Sequence, residues 1–158
     1  MAVHILIGVS GCGKSSVGQL LAKTLNVRFI DADDFHPEAN VQKMAGGIPL
    51  SDEDRGPWLD QVAAAASEQP CVVACSALKK SYRNRLRNQL DEVRFVLLNG
   101  SFELISQRMA ERSDHFMPAS LLQSQFDALE DPTDEEDVFK VTIDQTLEAI
   151  VAQIVAAR

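Results

Sequence analysis

The first residues with recognisable chemistry form one glycine-rich stretch near the start of the chain. Residues 8–15 read GVSGCGKS and match G-x-x-x-x-G-K-[S/T] at every fixed position. Glycines let backbone N–H groups turn towards phosphate oxygens, and a helix beginning near Lys14 would add its positive dipole end. Lys14 would reach the β- and γ-phosphates of ATP, and the Ser15 hydroxyl would ligate Mg²⁺. The predicted nucleotide-binding residues are Gly8, Val9, Ser10, Gly11, Cys12, Gly13, Lys14, Ser15 and Ser16.

The sequence on either side of this stretch supports the same interpretation. An apolar run, Ile5 to Ile7, precedes it, and apolar residues at helical spacing follow it at Val17, Leu20, Leu21 and Leu25. A glycine-rich turn can match the motif by chance, but strand, loop and helix in this order are the context that the motif requires. The loop alone does not specify whether the phosphate acceptor is water, a protein or a small molecule.

A pair of carboxylates follows the second apolar run, Val27 to Ile30. Asp31 and Asp33 are two residues apart at a predicted strand end, so their side chains leave opposite sides of the backbone. We predict that Asp31 lies near Mg²⁺, directly or through water, and that Asp33 takes a proton from an acceptor hydroxyl. The run from Cys71 to Ser76 ends without the Asp of a Walker B strand, so the metal needs another carboxylate. Alternatively, the aspartates only end the strand and cap the next segment.

Arginines gather in segments that the topology places over this site. They are Arg55, Arg83, Arg85, Arg87, Arg108 and Arg112. Planar guanidinium groups bind carboxylate and phosphate oxygens bidentately. Arg108 and Arg112 are one helical turn apart, as a mobile lid over the nucleotide would require. For residues 83–87, a solvated helix face is an equally compatible interpretation.

The elements that must position these groups alternate along the chain. Continuous apolar runs predict strands at Ile5–Ile7, Val27–Ile30, Cys71–Cys75, Phe95–Leu98 and Val138–Ile143. Helical segments are predicted at 79–90, at 102–112, from Pro118 onwards and over 147–155. A short helix and an irregular segment are predicted across 36–51. The acidic run at 130–137 is predicted to be a solvated loop. This alternation predicts an α/β fold: a three-layer α/β/α sandwich with a parallel sheet of about five strands and a small lid.

The composition of the chain excludes several classes of protein. A length of 158 residues with 46% apolar content suits a single domain over 1–158. A net charge of −8 argues against a nucleic-acid partner, which would need clustered Lys and Arg. The N-terminus lacks the features of a signal peptide and no long apolar run occurs, so we expect a cytoplasmic protein with no membrane partner.

The cysteines offer one further expectation. The chain has three cysteines, Cys12, Cys71 and Cys75, and no two of them have C-x-x-C spacing. Neither disulfides nor a zinc site is therefore predicted. Cys12 lies in the phosphate loop near Lys14 and a helix N-terminus, which favour thiolate, so we expect nucleotide-protected reactivity there. The alternative is that Cys12 points away from the phosphates and is inert.

Blocks of sequence beyond the phosphate loop resemble the gluconate kinase (gluconokinase) family. In order they are Asp31-Ala32-Asp33, His36-Pro37, Asn40, Lys43-Met44, Pro49-Leu50, Asp54-Arg55, Pro57-Trp58-Leu59, Cys75-Ser76-Ala77-Leu78-Lys79-Lys80, Tyr82-Arg83, Leu86-Arg87, His115-Phe116, Ser124-Gln125-Phe126 and Leu129-Glu130. They cover nearly the whole chain, and their order and spacing together are specific. Ala32 stands where glycine is common and Cys12 where serine is common, and neither supplies an obligatory catalytic group.

The resemblance implies the fold of nucleoside monophosphate kinases and shikimate kinases, and phosphate transfer from ATP to D-gluconate. A sugar acid suits these residues, since its carboxylate matches an arginine and its polyol matches Asp, His and Asn side chains. The predicted substrate-binding residues are Asp33, His36, Asn40, Arg55, Arg83 and His115. The predicted catalytic residues are Asp33, Lys14 and Arg112. The predicted metal ligands are Ser15 and Asp31, and Arg108 is predicted to join the nucleotide site. The related enzymes are commonly homodimers, which the sequence of this chain neither supports nor opposes.

Two other functions fit the same sequence features. A kinase for shikimate, a nucleoside monophosphate or another sugar acid would use the same fold, although the blocks around Met44, Trp58 and Met117 disfavour it. A regulatory module that changes shape with ATP or GTP is the second alternative, and it would be favoured by a base-specificity motif and a Walker B strand. His36 and Asn40 also suit turn formation beside Pro37.

Overall fold

The structure is a computed structural model that describes residues 2–68, 70–111 and 119–157. Its strands are β1 (Val3–Ile7), β2 (Arg28–Asp31), β3 (Cys71–Ala74), β4 (Val93–Asn99) and β5 (Val138–Thr142). Its helices are α1 (Lys14–Leu25), α2 (Glu38–Ala45), α3 (Asp52–Ala66), α4 (Lys80–Arg87), α5 (Phe102–Ala110), α6 (Ala119–Ala128) and α7 (Leu147–Ala156), and a 3-10 turn spans Ala32–Phe35. None of the described helices is long and apolar enough to cross a membrane.

All five strands form one parallel sheet in the order β2-β3-β1-β4-β5. Every residue of the central strand β1 is buried, as expected for a strand covered on both faces. One apolar cluster joins one face of the sheet to α3 and α4 through Trp58 and Leu86. The second joins the other face to α1 and α7 through Leu21 and Ile150. The predicted three-layer α/β/α architecture is confirmed.

Helix α3 is the element that the sequence analysis did not predict. The helix runs through Pro57, and its first turn closes a capping box in which Ser51 Oγ accepts from Asp54 N and Asp54 Oδ2 accepts from Ser51 N. Trp58 and Leu59 then bury against the sheet at 2% and 1% exposure. The sequence does not indicate this helix because it contains Gly56 and Pro57, and both residue types usually interrupt helices. Its first two turns carry Arg55 towards the cleft described below.

The acidic segment at 130–137 is not the fully solvated loop that its composition predicted. Glu130 Oε1 accepts from Lys80 N at the start of α4 at 2.7 Å, and the Glu135 side chain is only 6% exposed. Arg83 of α4 lies fully buried against this segment. The segment therefore packs α4 onto the sheet instead of facing water throughout.

Candidate active site

A cleft of about 430 Å³ opens at the carboxyl edge of the sheet. Parallel α/β sheets gather functional groups at this edge because each strand ends there in a loop. The phosphate loop follows β1. Asp31 ends β2, on the far side of β3, and Asp33 lies just beyond it. The cleft is lined by Lys14, Ser15, Asp31, Asp33, His36 and Arg55, among others.

The backbone of the phosphate loop is shaped for an anion. Gly11 and Gly13 have φ of 81° and 98°, which residues with a Cβ rarely adopt. A Cβ on Gly11 would also lie 2.6 Å from Cγ of Met109, so the loop depends on glycine there. Gly13 is the N-cap of α1 and supplies no side-chain cap, which leaves the first N–H groups of the helix for a ligand.

Lys14 extends along the inside of this loop. Its Nζ donates to the carbonyls of Gly8 and Val9, each at 2.9 Å. No carboxylate among the described residues lies within ion-pair distance of it. The Lys14 charge is therefore directed into the loop and not neutralised by a nearby acid, an arrangement suited to a phosphate chain.

Ser15 and Asp31 place two hard oxygens beside the loop. Ser15 Oγ donates to Asp31 Oδ2 at 3.5 Å, while Asp31 Oδ1 accepts from Asp33 N at 3.0 Å. Burial raises the pKa of Asp31, and the nearby Asp33 and Asp34 carboxylates raise it further. A cation beside Asp31 would offset this cost, because a positive charge stabilises the ionised carboxylate.

The donor set at this position fits Mg²⁺ better than a protein-caged metal. The described residues contain no cluster of three or more His, Cys, Asp or Glu side chains that could hold an ion. Mg²⁺ typically binds through one or two protein oxygens together with phosphates and water. Ser15 and Asp31 supply that number of protein ligands.

Asp33 projects into the cleft with His36 at its side. The Asp33 side chain is 80% exposed, and its Oδ1 lies 3.6 Å from His36 Nε2. The contact with His36 lowers the pKa of Asp33, and the Lys14 charge lowers it further. Asp33 is therefore an exposed, ionised carboxylate facing the cleft, as a base for an alcohol must be.

His36 is held from two other directions. Its ring stacks on Trp58 with centroids 4.2 Å apart and an interplanar angle of 16°. Asn40 Nδ2 lies 3.3 Å from His36 Nδ1 and donates to the Asp54 carbonyl at 3.0 Å. Because Asn40 donates, His36 Nδ1 accepts and the ring proton lies on Nε2, facing Asp33.

This arrangement corrects the prediction for Asn40. The side chain is buried, at 3% exposure, and does not line the cleft. Its amide is bonded to His36 and Asp54, so Asn40 orients His36 and does not contact a substrate directly.

The prediction that Arg83 binds substrate is wrong. The guanidinium is fully buried and donates to the Glu135 carboxylate through Nε and Nη2, at 2.9 and 2.7 Å. Its remaining donors reach the carbonyls of Ala77, Leu78 and Glu130. All five N–H donors of Arg83 are therefore used within the fold. Arg83 fixes the loops around α4 and leaves no donor for a ligand.

Other predicted residues lie outside the cleft or outside the described chain. Arg108 donates to the Ile143 carbonyl at 2.7 Å and does not line the cleft, so its nucleotide role stays a prediction. Arg112 and His115, with most of the predicted lid, fall outside the described residues. Cys12 is 1% exposed, and its Sγ would lie 2.9 Å from a Cβ on Gly8. Burial therefore favours slow reaction of Cys12, even though Lys14 Nζ lies 3.8 Å from its Sγ.

The structure adds one residue to which the sequence analysis gave no role. Gln125 on α6 accepts from Ser10 N at 2.6 Å and donates to Ser10 Oγ at 3.0 Å. It lines the cleft and ties α6 to the phosphate loop across 115 positions of sequence. The only signal for it in the sequence was the Ser124-Gln125-Phe126 block, which carries no chemistry by itself.

The fold and this site define a small-molecule kinase of the P-loop class. The family model described as shikimate kinase matches residues 10–157. A shikimate kinase structure from Aquifex aeolicus, 20% identical with a TM-score of 0.67 and covering 98% of this chain and 95% of that one, supports the fold alone.

Relatives of higher identity specify the family further. The thermosensitive gluconokinase of Escherichia coli is 45% identical over 94% of this chain and 83% of its own length. The gluconokinase of Arabidopsis thaliana is 43% identical, over 96% of this chain and 89% of its own. The crystal structure of a gluconokinase from Sinorhizobium meliloti is 46% identical, with a TM-score of 0.93 and coverage of 98% and 90%. This chain belongs to the gluconokinase family.

Proposed function

We propose that this protein phosphorylates D-gluconate with ATP, giving 6-phospho-D-gluconate and ADP. The observation that carries the proposal is that one cleft presents the phosphate loop, the Asp33 carboxylate and the Arg55 guanidinium together. A phosphate donor, an alcohol and a carboxylate each have a matching group there. The gluconokinase relatives make gluconate the sugar acid of choice.

The donor side follows from the loop. The N–H groups at the start of α1 and the Lys14 ammonium would hold the β- and γ-phosphates of ATP. Ser15 and Asp31 would hold Mg²⁺, which would offset the negative charge of the phosphates when bound. Arg112, if the predicted lid closes over the site, would add a cation as charge shifts during transfer.

The acceptor side follows from the two charged groups of opposite sign. Arg55 would bind the C1 carboxylate, which leaves the C6 hydroxyl at the other end of the extended polyol to approach Asp33. Asp33 accepts the proton of the C6 hydroxyl while the hydroxyl oxygen bonds to the γ-phosphorus. The bond from phosphorus to the oxygen that bridges to the β-phosphate breaks, and ADP leaves with the electron pair.

His36 supports this step by positioning Asp33. Its Nε2 proton faces Asp33, so it holds the carboxylate in position and favours the ionised form. Trp58 and Asn40 fix the ring that does so. His115 is proposed as a further contact to the polyol.

The test is ADP release, measured with a coupled assay over gluconate, shikimate and AMP, each with MgATP. We expect turnover with gluconate far above the other two. Equal or greater turnover of shikimate would instead support a shikimate kinase, the alternative favoured by the family model that matches residues 10–157. Omitting Mg²⁺ should abolish activity if Ser15 and Asp31 act as its ligands.

A further inference from the structure

Arg55 is held by one edge of its guanidinium. Its Nη1 donates to the Leu50 carbonyl at 2.5 Å and to the Tyr82 hydroxyl oxygen at 3.1 Å, and the Tyr82 ring lies 5.3 Å from its central carbon. Among the described residues, Nε and Nη2 of Arg55 have no hydrogen-bond partner. The other edge of the fork therefore remains for a ligand in the cleft.

The direction of the hydrogen bonds around Tyr82 is forced by chemistry. Arginine can only donate, so the Tyr82 oxygen accepts from Arg55, and the hydroxyl proton must go elsewhere. It goes to Asp52 Oδ1, which also accepts from Lys79 Nζ at 3.0 Å. Burial and the bond to Asp52 raise the pKa of Tyr82, so the phenol stays neutral.

The consequence concerns the charge of Arg55. Arg83, Arg85 and Arg87 each form ion pairs with carboxylates, at 2.6 to 2.7 Å. Arg55 has no such pair among the described residues: its side-chain partner is the neutral Tyr82 hydroxyl, which in turn donates to Asp52. Lys79, in turn, balances Asp52. Arg55 is thus held firmly without being neutralised.

We propose that Tyr82, backed by Asp52 and Lys79, is a positioning residue that reserves the Arg55 fork for the carboxylate of an acidic substrate. A direct Asp or Glu partner would hold Arg55 equally well but would compete with that carboxylate for its charge. The neutral hydroxyl avoids this competition. The proposal rests on the proposed function, since it concerns how the same site selects a sugar acid.

The test is the Tyr82→Phe variant, which removes the hydroxyl and keeps the ring. We expect the KM for gluconate to rise about 10-fold, as for loss of a hydrogen bond to a charged group, and the KM for ATP to stay unchanged. Asp60→Asn is the matched control. Asp60 on α3 pairs with Arg85 on α4, the helix that carries Tyr82, and Asp60 does not line the cleft. An unchanged KM for gluconate in a folded Tyr82→Phe protein would overturn the proposal.

A second arm separates positioning from general loosening of the fold. In an Arg55→Lys background, which keeps the charge but loses the fork, Tyr82→Phe should add little to the KM for gluconate. An equal effect in both backgrounds would mean that Tyr82 does not act through Arg55. If Tyr82→Phe fails to fold, the Asp52→Asn variant replaces it, since the Asp52 side chain is 64% exposed and should tolerate change. Asp52→Asn should raise the KM for gluconate by a smaller factor than Tyr82→Phe. No rise in that KM would overturn the proposal.

Failure of the proposed function gives a different result. In that case the wild-type protein itself would release no ADP in response to gluconate. An active wild type with an unaffected Tyr82→Phe variant would count against the positioning role alone.

Discussion

Gln125 and Ser10 lie 115 positions apart in sequence and share two hydrogen bonds, through the Ser10 backbone and hydroxyl. Ser10 is the third residue of the phosphate loop. Its N–H is engaged by Gln125 and that of Cys12 by the Val9 carbonyl, so the N–H groups of residues 11 and 13–15 are the ones left to face a phosphate. The side chain therefore anchors the loop from α6 at its outer end. Loops that bind phosphate gain from such preorganisation, because order is then not imposed at the moment of binding.

The Gln125→Ala variant tests this anchor. We expect kcat/KM for ATP to fall about 10-fold, since two hydrogen bonds that order the loop are lost. Gln123→Ala is the matched control: Gln123 is exposed on the same helix, and within the described part of the chain its side chain donates to Asp127 at 2.8 Å. Steady-state kinetics with ATP as the varied substrate gives the answer, and equal values for both variants would contradict the anchoring role.

Asp33→Asn tests the assignment of the base. The amide keeps the size of the side chain but cannot take a proton, so kcat should fall about 100-fold, at the low end expected for general bases. ATP affinity and folding should be preserved because the phosphate loop is untouched. Asp34→Asn, one residue further on and exposed, serves as the control and should leave kcat near that of the wild type. Near-normal kcat in Asp33→Asn would remove this residue from the mechanism.

The buried Arg83–Glu135 pair predicts a dependence of stability on pH. Arg83 is the main cause that lowers the pKa of Glu135 from 4.5 to about 2, and Arg87 contributes as well. A lowered folded-state pKa stabilises the protein above pH 4.5, and this stabilisation is lost as the pH falls towards 2. Glu135→Gln should lower the free energy of unfolding by about 3 kcal/mol at neutral pH, because it leaves Arg83 buried without a charge partner.

Urea denaturation at pH 7 and at pH 3 measures this effect. The difference between wild type and Glu135→Gln should shrink at pH 3, where the wild-type carboxylate loses part of its advantage. Glu136→Gln changes an exposed neighbour and should show no comparable difference at either pH. A Glu135→Gln protein as stable as the wild type at pH 7 would mean that the pair does not hold the fold together.

Burial also reverses the expectation for Cys12. At 1% exposure its thiol should react slowly with iodoacetamide, with or without MgATP, and Cys12→Ser should retain activity. Cys71 and Cys75 are equally buried, and burial raises the pKa of Cys75 to about 12. The measurement is loss of activity over time in wild type and in Cys12→Ser. Rapid inactivation of the wild type alone, prevented by MgATP, would restore the original expectation.

The sequence predicted those parts of the site whose chemistry is local. The phosphate loop needs a strand, glycines, Lys14 and a helix in direct succession, and Asp31 and Asp33 need only the end of β2. Each of these signals lies within one short segment, so the residue types themselves specify the geometry. The alternation of apolar runs likewise predicted the parallel sheet, because strands covered on both faces are continuously apolar.

The remaining features depend on contacts between distant segments. Arg83 reads as a ligand in the sequence because its partner, Glu135, follows 52 positions later in an apparently solvated acidic run. Gln125 meets Ser10 only when α6 docks beside the loop. Helix α3 was hidden by Gly56 and Pro57, although Ser51 and Asp54 carried its capping signal. Tertiary packing decides all three, and local pattern does not contain it.

Phosphate transfer to gluconate in this cleft is tested most directly by the identity of the product. Wild-type protein with MgATP and gluconate should yield a single new phosphate monoester resonance by ³¹P NMR, coupled to the two hydrogens on C6, with one ADP formed for each. This result would place the acceptor hydroxyl at the end of the polyol opposite the carboxylate, as Asp33 and Arg55 in one cleft require. ADP formed with free phosphate alone, or phosphate attached to another carbon, would contradict the account.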